Sequence, residues 1–600
     1  MAGAVAKRSE IPAEKRWAVE DLFENTGAWE RALKEASDEI GRAKSYKGRL
    51  GESAAVLREY LDYDNELDIR IEKIYLYAHL NMDTDTTDMA GQSMYMKTQA
   101  LWTRRAEEAA FAEPEIMAIP PDILADYRAK EPGLAVYDRF FTLLERRRAH
   151  TRSSEVEELL ASAGEMAESP SNTFTMLNNA DLTFPKIIGE DGEETEVTLG
   201  RYGGLMESRN RDVRKSAFQS MYASYGQFAN TIAANFTANI RQAVFFAKAR
   251  GYASTRAMYL APANVPEAVY DNLIQVIHEA MPSMYRYVAL RKRMLGVEEL
   301  HMYDVYVPIV PECQTAVPFE EAKETILKAL SPMGEEYISA LREGFDNRWI
   351  DACENAGKRS GAYCSGGTVT HPFVLMTYKE KMDDMFTLAH EMGHAMHSYF
   401  SNKTQPHQTA GYKIFVAEVA STCNEILLTR YLLGQKEDKA QKAYVINHFL
   451  DEMKGTLFRQ TMFAEFEMLA HRMFENGEAL TADRLNETYL ELNQKYFGPD
   501  MVSDPEIRLE WAKIPHFYTP FYVYQYATGI AAAAALSARI LERGEAGVAD
   551  YMKFLTGGGS QDPIDLLKLA GVDMSRREPV EAAVKLFDEM LGQLEELLEL

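Results

Sequence analysis

Apolar residues recur every three or four positions through most of this chain, a period that predicts a mainly α protein. From the start to about residue 180, amphipathic segments alternate with short polar breaks, as at Tyr75–Met82 and Met94–Ala110. Leu182–Ile188 and Thr195–Leu199 are β-rich, and Asp191-Gly192 between them predicts a hairpin. The hairpin marks a division of the chain into a helical region over 1–200 and a second region over 201–600. Beyond it, Arg209–Arg250 is almost continuously helix-compatible, Tyr252–Arg256 is a break, and Pro266 opens another helix. Tyr303–Val310 and Thr368–Tyr378 read as short extended segments. Pro372 cannot donate to a ladder, so the second of these is expected to be an edge strand. From 440 onward the pattern is again helical, and Ile530–Leu536, mostly Ala, predicts a tightly packed helix. Val580, Val584, Phe587, Leu591, Leu594 and Leu598 follow a heptad-like spacing too short for a coiled coil. That helix is expected to dock on the body of the protein. An oligomer through it is open but not required.

With 46% apolar residues and 29 Met, the 600-residue chain has ample material for a large core. A formal charge of −26 argues against nucleic acid or an anionic membrane as partner. The run Arg146-Arg147-Arg148 reads as a solvated helix end, and His79 as a hydrogen-bonded core residue. Thr556–Ser560 lacks the Gly-Lys-Ser/Thr ending of a phosphate loop. No apolar stretch reaches membrane-spanning length, and Met1–Glu20 has no apolar signal core. Cys313, Cys353, Cys364 and Cys423 have neither zinc-knuckle nor redox spacing, which suits a reducing compartment. The expected location is the cytoplasm.

The chemistry is concentrated at His390-Glu391-Met392-Gly393-His394. On a helix, His390 and His394 share one face and can take two corners of a tetrahedral zinc site. Glu391 lies about 100° round the axis. From there its carboxylate can reach a water on the metal's open side as a general base. Asp383 and Asp384 before the apolar run, and the stripe Phe386, Ala389, Gly393, Met396 and Phe400, both support a helix. A third ligand is required. A helix carries His397 past the metal. Glu418, set among apolar neighbours in Gly411–Glu425, would be costly there unless it held a cation. Glu425, two turns on, is either a rival ligand or a partner of one. Glu418 is favoured.

His390-Glu391-x-Gly393-His394, with Glu418 24 residues after His394 and then Ser421 and Glu425, resembles the thimet-oligopeptidase family of zinc peptidases, nearest its oligoendopeptidase F branch. Arg16-Trp17, Gly361–Gly367, His371–Leu375, His516-Phe517-Tyr518 and Phe521–Tyr526 extend the resemblance over most of the chain. It implies a two-lobed helical fold enclosing a deep substrate channel, with a small β-sheet beside the zinc helix. It implies one zinc held by His390, His394 and Glu418, and Glu391 as base. It also implies short unstructured peptides as substrates, cut internally. The strand beside the zinc implies substrate contacts at Gly366, Gly367, His371 and Phe373.

The aromatic-rich stretch Trp511–Tyr526 would otherwise read as core. Amide hydrolysis, however, builds an oxyanion, for which an imidazole and a phenol are suitable donors. The resemblance implies that His516 is one donor and Tyr524 the other, with Tyr522 lining the site beside it. Tyr518 and Tyr526 stay open as alternatives to Tyr524. A zinc carboxypeptidase or dipeptidase of similar build would need a cation for the substrate carboxylate, and none is identifiable. A non-catalytic peptide-binding protein would tolerate a broken motif, whereas this one is intact.

Overall fold

The computed structural model describes residues 5–311, 316–435 and 438–599, and helices dominate it. The chain divides into two compact units, each built from three separated segments: Met1–Thr151, Thr315–Leu428 and Leu536–Gly571 in the first, and Arg152–Gln314, Thr429–Ala535 and Val572–Leu600 in the second. Neither unit is a continuous stretch ending near 200, where the sequence suggested a division.

In the first unit, long helices begin at polar caps. Ser53 Oγ accepts from Val56 N–H at 3.3 Å to open Ala54–Thr84, and Asp88 accepts from Ala90 and Gly91 at 3.2 and 3.0 Å to open Met89–Ala109. Their apolar faces share a core with Trp17, Trp29, Phe373 and Leu375. The three-stranded sheet has the order Ile350–Asp351, Phe373–Leu375, Tyr363–Ser365. Val374 pairs parallel with Ile350 and antiparallel with Cys364. The strand after Pro372 is therefore central, and the expectation of an edge strand there is corrected. Pro372 lies one residue outside the ladder, so its missing N–H removes no bond, while Val374 N–H donates to Trp349 O at 2.8 Å. The edges are Ile350–Asp351 and Tyr363–Ser365, the latter inside the glycine-rich turn. The sheet packs beside the helix Met382–Thr404.

In the second unit, Ile187–Ile188 and Glu194–Thr195 form the expected hairpin, with Gly192 at φ +81°. The helices Arg211–Gln227 and Ala229–Arg250 follow, the latter ending at left-handed Gly251. Met302–Asp304 is a 3-10 turn rather than the start of a strand. The buried Asp304 carboxylate accepts from Arg211 at 2.8 Å, Arg214 at 2.6 Å and His301 N–H at 3.0 Å, and gathering these donors bends the chain. The ladder there is Leu300–His301 with Met501–Val502. The helix Glu578–Leu597 docks as expected, burying Val580, Phe587, Leu591 and Leu594.

Each guanidinium of the Arg146–Arg148 run is paired with a carboxylate: Asp562, Glu113 and Glu145 respectively. Cys353, Cys364 and Cys423 are free thiols, and Cys313 lies outside the described residues. Among the described residues, no helix is long and apolar enough to cross a membrane.

Candidate active site

The helix Met382–Thr404 carries the motif. Asp384 Oδ2 accepts from the N–H groups of Lys379 and Lys381 at 2.7 and 2.9 Å, and so fixes where the helix starts. Phe386, Ala389, Met392, Met396 and Phe400 are buried, leaving His390 and His394 together on the other face with ring centroids 4.9 Å apart. The second helix, Ala417–Gln435, crosses at Gly393. A Cβ there would stand 2.5 Å from Ser421 Cα and 2.7 Å from Ala420 O, so glycine is what lets the two backbones meet. Asn424 reinforces the crossing by donating to Ala389 O at 3.1 Å while accepting from Tyr337 at 2.8 Å.

That crossing sets Glu418, in the first turn of its helix, between the two imidazoles. Its Oε2 is 3.2 Å from His390 Nε2 and 3.3 Å from His394 Nε2. One donor atom from each of the three residues lies within 4.8 Å of the others. Glu425 Oε1 is 2.9 Å from His390 Nδ1, the nitrogen facing away from Glu418, so it orients the ring instead of competing as a ligand. His397 is fully buried and stacks on Tyr412 with centroids 3.7 Å apart, away from the trio. Burial opposes charge on His390, but hydrogen bonds to Glu418 and Glu425 outweigh it and hold the ring well above its ordinary pKa. Burial would raise the pKa of Glu418, yet the two imidazoles hold it far below the usual carboxylate range.

Glu391 is 6% exposed, and its Oε2 has no hydrogen-bond partner. Burial pushes its pKa up against the pull of His390 and His394. Two imidazole nitrogens and one carboxylate oxygen, beside a buried carboxylate with an unpartnered oxygen, fit a zinc ion with an open coordination position.

The substrate contacts implied around the strand fare differently. Phe373 is 0% exposed and packs edge-on against Trp17 at 5.9 Å, so its side chain is part of the core. His371 is engaged internally: it stacks on Trp349 at 5.1 Å and pairs with Asp21 at 3.1 Å. A Cβ on Gly367 would meet the Glu72 carboxylate at 2.5 Å, and one on Gly366 would meet Pro372 Cα at 3.2 Å. Both glycines thus serve close packing of the loop. The strand that sequence reasoning missed is Tyr363–Ser365. It was hidden because a three-residue strand among glycines carries no period.

In the second unit, His516 sits on the single turn Pro515–Tyr518. Its ring stacks on Tyr522 at 5.8 Å, with Tyr526 edge-on at 6.0 Å, and the Tyr526 hydroxyl donates to that of Tyr522 at 3.4 Å. Burial lowers the pKa of His516, favouring the neutral imidazole. Tyr524 does not join this group. It is 2% exposed, packs on Tyr270 at 5.1 Å, and opens the helix Tyr524–Arg543 with its phenol turned into the core. Tyr522 and Tyr526, four residues apart, fall on one side, and that spacing was the signal available in the sequence. Tyr518 is also engaged elsewhere, stacked on Phe174 at 4.5 Å and accepting from Asn235 at 3.2 Å.

Residues 204–586 match the family model of Peptidase family M3, and residues 115–184 that of Oligopeptidase F. The chain belongs to peptidase family M3. Oligopeptidase PepF of Bacillus subtilis (strain 168) is 46% identical to it over 597 residues, 100% of this chain and 89% of that protein. The crystal structure of oligoendopeptidase-F from Enterococcus faecium is 40% identical, with a TM-score of 0.76 over 95% of this chain and 98% of that one. A Chlamydophila abortus structure reaches a TM-score of 0.92 at 34% identity, covering 99% of this chain and 100% of that one. The M3 chain is therefore a mainly α peptidase acting on peptides. M3 is a family of metallopeptidases, and His390, His394 and Glu418 are this member's candidate metal site.

Proposed function

We propose that this M3 peptidase is a zinc-dependent endopeptidase that hydrolyses internal bonds of short, unstructured peptides. The observation that carries the reading is the convergence of His390, His394 and Glu418 donor atoms within 4.8 Å, with the buried Glu391 carboxylate next in sequence to one of them. When bound there, zinc supplies Lewis acidity to the attacking water and the scissile carbonyl.

The chain's own residues do the rest. Glu425 fixes the His390 ring through Nδ1, so that Nε2 is turned toward Glu418 and would be free to hold a metal there. Glu391 takes a proton from the attacking water as the carbon–oxygen bond forms. It passes that proton to the departing nitrogen as the carbon–nitrogen bond breaks, which returns Glu391 to its ionised form for the next cycle. Its raised pKa suits this exchange, because a carboxylate too acidic would not take the proton. The resemblance gives donation to the tetrahedral oxyanion to His516 and a tyrosine, and within the second unit Tyr522 and Tyr526 are the tyrosines whose rings cluster with His516. The edge strand Tyr363–Ser365, beside the motif helix, offers backbone groups to an extended peptide.

The test is Glu391→Gln, with metal content and cleavage of an internally quenched, end-blocked peptide measured together. The expected result is about one zinc per chain in both proteins and loss of most cleavage in the variant. Full cleavage by the variant refutes the base. Wild-type protein that cuts only free-ended peptides refutes the endopeptidase reading.

A further inference from the structure

Phe521, in the second unit, is a bulky residue held at φ +56°, a left-handed backbone that such side chains rarely adopt. The turn it occupies separates His516 from Tyr522 and Tyr526. Strain of this kind persists only where the surroundings impose it. Here they do so in two ways. The Phe521 ring is 3% exposed and wedged against His471 at 4.7 Å, Tyr270 at 5.9 Å and Tyr259 at 6.1 Å. Its N–H donates to Glu467 Oε1 at 2.8 Å.

Glu467 is an unusual group to find there. It is 1% exposed, on the helix Gln460–Glu475, one turn before the equally buried His471. Its second oxygen has no partner, and the ion pairs of the described residues include none to Glu467. A buried carboxyl without a cation is costly, and a leucine would fill the space at no such cost. What the carboxyl does that a leucine cannot is accept the Phe521 N–H in a turn whose geometry pairs that group with nothing else. Burial pushes its pKa up to about 8, with the Phe521 N–H pulling the other way, which favours the neutral acid. The same turn is pinned a second time by Tyr524 on Tyr270 at 5.1 Å. With 521 and 524 both turned inward, the intervening chain presents half-exposed Tyr522 to His516.

We propose that Glu467 is a positioning residue: by holding the left-handed turn at Phe521, it stacks Tyr522 and Tyr526 against His516. The catalytic consequence rests on the oxyanion role proposed above for that cluster, while the positioning itself does not. The chemistry needed at Glu467 is a neutral carbonyl acceptor, so an amide should replace it and a thioether of similar size should not.

The experiment compares Glu467→Gln with Glu467→Met in the full chain with its metal. Two readouts are taken: kcat and KM on the end-blocked peptide, and the His516 ring-proton resonances, identified by their loss in His516→Gln. Stacking on Tyr522 displaces those resonances by ring current. The proposal expects Glu467→Gln to keep both kcat and the displaced resonances. It expects Glu467→Met to bring the resonances back toward unstacked values and to lower kcat by about 10- to 100-fold, with KM and zinc content held. Resonances unchanged in Glu467→Met overturn the proposal, as does their loss in Glu467→Gln. Resonances that move in Glu467→Met without a change in kcat uphold the positioning and refute the oxyanion role. Should Glu467→Met fail to fold, Glu467→Gln alone still decides, because the amide retains the acceptor.

Discussion

Replacing Gly393 by Ala tests whether the helix crossing builds the metal site. The added methyl would lie 2.5 Å from Ser421 Cα and 2.7 Å from Ala420 O, both backbone atoms that cannot swing aside. Carbon atoms in ordinary contact sit about 3.5–4.0 Å apart, so the two helices must part by about 1 Å. Glu418 lies one turn before Ser421 on one helix, and His394 follows Gly393 on the other. Metal–ligand distances tolerate only about 0.2 Å. The variant must therefore either spread the ligands or strain the packing to keep them. Overpacking of this kind costs about 1–3 kcal/mol. Expressed wholly as metal affinity, that is about a 5- to 150-fold weaker zinc complex. The sign is diagnostic, because Gly→Ala in an unconstrained helix interior stabilises by about 1 kcal/mol. Chelator-competition titration gives the zinc affinity, and thermal unfolding in excess EDTA isolates packing from metal. A Gly393→Ala protein that binds zinc as tightly as wild type and unfolds no lower in EDTA refutes the reasoning.

Three further outcomes are expected. Glu425→Gln should weaken zinc binding by about 10- to 100-fold, measured by the same competition, since it disturbs the partner of His390 Nδ1 while leaving all three ligands in place. Tyr522→Phe and Tyr526→Phe, assayed singly for kcat, should include a loss of about 100-fold, whereas Tyr524→Phe should stay near wild type; the reverse order would return the donor role to Tyr524. Burial, aided by His394, lowers the pKa of His397 from 6.5 to about 3. The depressed value means its contribution to stability is present above 6.5 and lost as pH falls toward 3. In chelated protein, His397→Phe should flatten the fall of unfolding temperature over that range, and an unchanged slope would show that His397 is not the group responsible.

How much of this was legible in the sequence varied with how local the signal was. The motif helix, its acidic start and both histidines follow from spacing alone, because i and i+4 share a face whatever the helix packs against. The docking of Glu578–Leu597 and the hairpin at Gly192 were readable for the same reason. Glu418 was legible as a carboxylate that needed a reason to be among apolar neighbours, and Glu425 only as one of two readings. Their separation depended on which nitrogen of His390 each one faces, a matter of helix crossing.

The tertiary structure decided the rest. Pro372 argued for an edge strand, yet the ladder begins one residue later and takes partners on both sides. Phe373, which the family resemblance placed at the substrate, proved to be core. Tyr524 and Tyr522 are two residues apart and equivalent in composition, but one is anchored on Tyr270 and the other stacks on His516. The sequence by itself determined the helices, the ligand types and the chemistry they can support, since those depend on side-chain identity and on periods of a few residues. Which strands form the edges, which tyrosine faces outward and why Phe521 is left-handed depend on contacts between residues far apart in the chain. Those contacts are set by close packing of the whole unit, and no short window of sequence contains them.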